Sequence, residues 1–195
     1  AAAETAARTR AALHRSLPWR LALSGPLPAG LSVTPDALVS ATLEGAQDIL
    51  RGRFTLESGV LDVRAASPFD LPVSPELRAE LHGFAWLAHL ERAGGKTAHF
   101  VARALVEDWI DRHERPDETV WAPHVLGQRL VQWAAQFRFL TGDHDLIFRS
   151  RLLKTMAEQT RHLARTVEHA PAGPLRLAAA AALVTVDAAI PEGAP

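Results

Sequence analysis

From Ser74 onward the apolar residues recur every three to four positions, the period of helices with one buried face. Ser74-Pro75-Glu76 reads as a helix start, with serine as the cap and proline in the first turn. This helix is expected to run to about Arg92 and stop at Gly94-Gly95. A second is expected from Thr97 to His113, stopped by Pro116. A third runs from Pro123 to Leu140, stopped by Gly142, and a fourth from Asp145 to Glu168, stopped by Pro171 and Gly173. A fifth covers Pro174 to Ile190. Connections of about three to eight residues make consecutive helices antiparallel neighbours, a row of αα-hairpins. No fixed-period repeat appears, so a regular solenoid is not supported.

Upstream the pattern is broken. Residues 2–15 have helical composition, rich in Ala and Arg, and Pro18 is expected to end that stretch. Residues 25–36 hold Pro26, Pro28 and Pro35 and read as an extended arm. Pro35-Asp36 can cap a helix from Ala37 to Leu50, closed by Gly52. Alternating apolar residues in Arg53–Leu56 and Val60–Val63 flank Glu57-Ser58-Gly59, which predicts a small β-hairpin with a three-residue turn. The organisation that follows is an N-terminal helix and Pro-rich arm over 1–36 and a helical domain over 37–195.

The charge balance narrows the function classes. Lys plus Arg total 21 against 22 Asp plus Glu, a net charge of −1, which argues against a general nucleic-acid binder. There is no cysteine, hence no disulfide framework and no thiolate metal site, and no tyrosine to serve as a catalytic acid or base. No apolar run approaches the ~18 residues that span a bilayer. The start at Ala1 without methionine and the ragged Pro-Glu-Gly-Ala-Pro end lead us to expect a piece of a longer chain, and no export signal is visible.

Candidate chemistry concentrates on the third helix. Val125, Arg129, Trp133 and Phe137 are spaced by four and share a stripe, so Arg129 sits among apolar neighbours. A buried guanidinium needs a partner. It could pair with a carboxylate of a neighbouring helix, snorkel to water, or grip an acidic ligand in a cleft. Gln128, Gln132 and Gln136 form a polar stripe beside it, either solvated or donating to a ligand. His82, Trp86 and His89 fall on one helical face, to stack on a ligand or pack on the next helix. Histidines seven apart, as in His82/His89 and His162/His169, lie ~10.5 Å apart along a helix and do not make a zinc site on their own. No metal or cofactor is expected. Glu107, Asp108, Asp111 and Arg112 read as a solvated face, with Trp109 and Ile110 turned inward.

Several strings, taken in order, resemble the early part of heparinase II/III family proteins. They are Gly52-Arg53-Phe54, Ser67-Pro68-Phe69-Asp70, Leu81-His82-x-Phe84-x-Trp86-Leu87, Leu105 to Ile110, Trp121-x-Pro123-His124, Arg129-Leu130-x-Gln132-Trp133 and Gln159-x-x-His162-Leu163. The resemblance covers about residues 45–190. It implies an all-α fold in which antiparallel αα-hairpins form part of an (α/α) toroid, with the small hairpin near 53–63 attached. It further implies a polysaccharide lyase that cleaves acidic, uronate-containing glycans by β-elimination, with later toroid helices and a β-sandwich downstream in the same chain. The family's catalytic tyrosine has no counterpart here, so this segment is expected to be inactive and to hold no catalytic residue. The substrate-binding candidates are Gln132, Arg129, Trp121, Trp133 and His124, with Gln132 at the place of a family asparagine. The expected partner is an acidic polysaccharide, with no nucleic acid and no membrane span. The family's habit of acting outside the cytoplasm points to the periplasm or cell envelope. The alternative is a non-catalytic helical scaffold that presents an interaction surface.

Overall fold

A computed structural model describes residues 9, 12–14, 16–36, 39–63, 66–142 and 145–190. It is mostly helical, with one small antiparallel sheet. Most of the expected helix over 2–15 lies outside the described residues, though 12–14 are helical. Pro18 does not end a helix. It stands in the first turn of α1 (Leu17–Leu23), where its missing N–H costs nothing. The Pro-rich segment after α1 is extended and tied down along its length. Arg161 donates to the carbonyls of Leu23 and Pro26 at 2.8 and 2.7 Å, and Ser32 N–H donates to the Ala189 carbonyl at 2.9 Å.

Helix α2 (Leu43–Leu50) begins six residues later than the sequence suggests, because Thr42 is the cap. The Thr42 hydroxyl accepts from Gly45 N–H at 3.1 Å, and Thr42 N–H donates to His89 Nδ1 at 2.9 Å. Gly52 then turns the chain at φ +84°. A Cβ there would meet the Val63 carbonyl at 2.4 Å, and that carbonyl's residue closes the hairpin through Val63 N–H to Gly52 C=O at 2.7 Å. Strands β1 (Arg53–Leu56) and β2 (Gly59–Asp62) pair with Leu56 opposite Gly59, so the turn has two residues, Glu57 and Ser58, rather than three. Phe54 and Leu61 point inward as a facing pair.

The first long helix of the sequence reading is two helices. Helix α3 (Pro75–Gly83) is capped by Ser74 as expected. It ends at Phe84, which takes a left-handed conformation at φ 61°, and α4 (Leu87–Ala93) starts anew. Left-handed backbone costs a non-glycine residue roughly 1–2 kcal/mol. Burial of two aromatic rings offsets it. The Phe84 ring lies 5.3 Å from Trp133 and 4.9 Å from Trp86, and Trp86 donates its indole N–H to the Leu81 carbonyl at 2.8 Å. The break also abolishes the expected His82/Trp86/His89 stripe: His82 and Trp86 are buried, and His89 holds Thr42.

Helix α5 (Gly95–Arg112) follows, then α6 (Pro123–Ala135), α7 (Phe137–Thr141), α8 (Leu146–Thr166) and α9 (Pro174–Ala189). The third expected helix breaks at Gln136, which separates α6 from α7. Trp109 and Ile110 of α5 are buried, and its charged face is laced by ion pairs: Arg112 with Asp108 and Asp70, Arg103 with Glu107 and Asp145, and Arg151 with Asp111.

The helices do not form a simple row. Helix α6 is central and packs on α3, α8 and, most extensively, α9, which is not its neighbour in sequence. The toroid arrangement is not shown. What allows the close approach of α6 and α9 is the small side chains between them. A Cβ on Gly127 would lie 2.8 Å from the Ala182 Cβ and 3.6 Å from the Ala179 Cα. Gly127→Ala gains helix propensity of up to ~1 kcal/mol, yet it must push α9 away. The expected net result is a loss of about 1–2 kcal/mol in urea unfolding, because overpacking a tight contact costs ~1–3 kcal/mol. Unchanged or higher stability would show that this helix contact has room to give.

Candidate functional site

The five candidate residues of the sequence reading fall into two groups. Arg129, Gln132 and Trp133 are buried in the interior of α6. Trp121 and His124 stand at the start of α6, on the wall of a surface cleft.

Arg129 is fully buried, and among the described residues no carboxylate pairs with it. It does not snorkel to water either. Its Nε donates to Gln159 Oε1 at 2.9 Å, and Nη1 donates to the carbonyls of His82 at 3.1 Å and Val120 at 2.9 Å. The guanidinium lies 4.1 Å from the centre of the Trp109 ring, a cation–π contact deep in the core. Burial pulls its pKa well below the ordinary arginine value. It remains a cation at neutral pH, since arginine does not deprotonate in proteins. The Gln132 carbonyl oxygen and the Trp133 indole N–H have no hydrogen-bond partner among the described residues. They face the interior rather than a cleft, so this group does not reach a ligand from outside.

The cation is felt by the histidines around it. Burial, then the neighbouring His113 and Arg129, lower His82 to about 2. Burial and Arg129 lower His113 to about 4. Burial, His14 and Arg129 lower His162 to about 3. Each is therefore neutral at pH 7. Hydrogen bonds fix two tautomers: Trp109 donates its indole N–H to His82 Nδ1 at 2.8 Å, and Trp19 donates to His162 Nδ1 at 3.2 Å, which leaves each proton on Nε2.

The open site is a cleft of about 380 Å³ between the start of α6 and the end of α8, lined by His14, Asp117, Trp121, His124, His162 and His169 among others. Asp117 shapes its rim by accepting from Thr119 and Val120 N–H, both at 3.0 Å. Trp121 donates its indole N–H to the His113 carbonyl at 3.0 Å. Its ring stands edge-on to His162 with centroids 5.0 Å apart, and the His14 ring also stands edge-on to His162 at 5.0 Å. His124, in the first turn of α6, has its Nδ1 buried without a hydrogen-bond partner among the described residues, and burial lowers its pKa. The cleft thus offers aromatic and imidazole faces, neutral polar nitrogens and a carboxylate rim. Such a lining supplies ring faces for packing and ring nitrogens for orientation.

Of these lining residues the sequence reading named Trp121 and His124, through the family resemblance, as binding candidates and did not name the rest as such. His162 and His169 were weighed only as a metal pair seven residues apart, and among the described residues no group of side chains could hold a metal ion. His14 comes from an N-terminal segment whose docking has no local sequence signal.

No known family profile matches the chain, and no solved structure matches it. Over 99% of its length the chain is 31% identical to the protein named FtsZ-localized protein C of Caulobacter vibrioides (strain NA1000 / CB15N). It spans about a third (34%) of that relative. These findings overturn the resemblance to heparinase II/III proteins, the lyase activity, and the partners it implied, namely an acidic polysaccharide with downstream toroid and β-sandwich domains. The physical reason lies in the motifs themselves. Arg129, Trp133, Trp109 and Phe84 form one aromatic and cationic core, so residues that suggested a glycan cleft are occupied with packing.

The neutral buried histidines set a pH dependence. Each keeps the folded value below the ordinary 6.5. On acidification the unfolded chain therefore binds protons first. The stability they allow is fully present above pH 6.5 and is lost as the pH falls from there toward 4 and below. The expected slope is roughly 1.4 kcal/mol per pH unit for each histidine already protonated in the unfolded chain. Urea unfolding at pH 7, 6 and 5 checks this. A midpoint that does not fall between pH 7 and pH 5 would contradict the neutral assignment.

Proposed function

We propose that this chain is a helical interaction module of a cell-division-associated protein, and that it holds a segment of a partner in the cleft at the start of α6. The observation that carries this reading is the similarity to FtsZ-localized protein C along essentially the whole chain. The geometry supports it in two ways. Arg129 and Gln132 of α6 are committed to the core, where Arg129 bonds the Val120 carbonyl in the turn that carries Trp121. The cleft itself is open and lined by aromatic rings, imidazoles and the carboxylates of Asp117 and Glu118, a combination suited to a side chain or short segment of another protein. The helices act as a scaffold that holds this surface in place.

FtsZ polymer is the partner to test first. Purified chain is expected to co-sediment with polymerised FtsZ of Caulobacter vibrioides. His124→Ala removes a half-buried cleft side chain without touching the Arg129 cluster, and is expected to weaken co-sedimentation several-fold with an unchanged melting temperature. Chain that stays in the supernatant at every FtsZ concentration would contradict the proposed role. Binding that His124→Ala leaves intact would move the contact away from the cleft.

A further inference from the structure

The Arg129 guanidinium keeps its positive charge in a fully buried position. Its bonds use Nε, to Gln159 Oε1 at 2.9 Å, and Nη1, to the His82 and Val120 carbonyls at 3.1 and 2.9 Å. Nη2 has no hydrogen-bond partner among the described residues. Two further buried donors share that condition. Gln159 Nε2 belongs to the same amide that accepts from Nε, and Trp133 Nε1 belongs to a ring whose centre lies 5.9 Å from the guanidinium carbon. Nη2 shares its carbon with Nε, and Gln159 Nε2 shares its carbon with Oε1, so these two unpartnered donors flank one hydrogen bond. Gln159 and Trp133 are, like Arg129, closed off from solvent.

We propose that this spot is a binding site for a monatomic anion, chloride, held by Arg129 Nη2, Gln159 Nε2 and Trp133 Nε1. The charge argues first. A buried ion needs a counter-charge, and neutral carbonyls supply only part of one. Among the described residues no carboxylate pairs with Arg129. The histidines close enough to feel its charge, His82, His113 and His162, are neutral or positive at any pH and cannot balance it. The donor set argues second. A buried water must place two protons of its own as well as accept. The unpartnered groups beside the guanidinium are three N–H donors, and against them stands one oxygen, Gln132 Oε1, a turn along α6. Donors gathered around a cation suit an acceptor that carries charge and no hydrogen.

The affinity of such a site is modest, because the best one-atom ligands reach a Kd of roughly 0.1 M. The ion binds the folded chain alone, since Arg129 and Trp133 stand on α6 and Gln159 on α8, and folding is what brings them together. Chloride therefore shifts the folding equilibrium by mass action. At that Kd the shift is about tenfold between none and ~1 M chloride, or ~3–6 °C in melting temperature for a chain of this size.

Melting curves of the full chain in mixtures of sodium chloride and sodium gluconate at constant ionic strength read this shift. Gluconate is too large for a site of one atom. The expected result is a melting temperature that climbs with chloride and levels off. Gln159→Glu is the control, since a carboxylate in place of the amide neutralises Arg129 from within and turns away an anion. That variant is expected to lose the chloride dependence, and the difference between the two proteins cancels the general effect of each salt on protein surface. Line broadening of the chloride NMR signal reads binding on the wild type alone. Excess broadening is expected, half-saturated near ~0.1 M chloride and lost when urea unfolds the chain. A wild type whose melting temperature follows that of Gln159→Glu across the mixtures overturns the proposal and leaves water as the occupant. So does a chloride signal that unfolding leaves unchanged.

Discussion

The structure depends on where one buried cation finds its partners. Arg129 sits at the middle of the central helix with no carboxylate, and its hydrogen bonds go to Gln159 of α8, to the last turn of α3 and to the turn that precedes α6. Three separate chain segments are thereby referred to a single side chain. The Trp109 face beneath the guanidinium adds a fourth, from α5. Neutral acceptors alone do not repay the desolvation of a guanidinium as a carboxylate would. The arrangement persists because the fork satisfies two carbonyls that would otherwise be buried without donors, at places where the chain leaves helical geometry.

That commitment organises the histidines as well. Burial first, with the charge of Arg129 among the further causes, holds His82, His113 and His162 neutral, and the Nδ1 atoms of His82 and His162 accept from the indoles of Trp109 and Trp19. His162 also lines the cleft. One edge of its ring belongs to the core, and its flank, with Trp121 and His14, forms the cleft wall. Core and cleft are in this sense one construction.

The helical content and most caps were legible in the sequence, and the reasons are local. Ser74 before Pro75, Asp145 before α8 and Gly94 after α4 behave as their chemistry requires. The departures come from tertiary demands that no local pattern carries. Phe84 breaks a helix because two aromatic rings gain more from burial than the backbone loses. Thr42 outcompetes Asp36 as a cap in part because His89, distant in sequence, accepts its N–H. The preference of α6 for α9 over its sequence neighbours rests on Gly127 and two alanines, which read as ordinary small residues in the chain. The candidate site was half legible. Trp121 and His124 entered only through a family resemblance that does not hold, and they line the cleft, whereas Arg129, Gln132 and Trp133 carried the right chemistry for a ligand and are buried in the core. The family resemblance failed for the same reason: aromatic and arginine motifs at helical spacing describe a packed interior as readily as a glycan cleft.

The central claim is that Arg129, though unpaired with any acid, holds the fold and the cleft together. Urea unfolding of Arg129→Met tests it most directly. Methionine keeps the apolar stem and removes the cation, leaving the His82 and Val120 carbonyls and the Gln159 amide without their donor. The account predicts a loss of about 3 kcal/mol, since each buried group left unsatisfied costs ~1–3 kcal/mol. It also predicts faster amide exchange through residues 118–124. A variant as stable as the wild type, or more stable, would show that the buried charge is merely tolerated and that the helices hold their places without it.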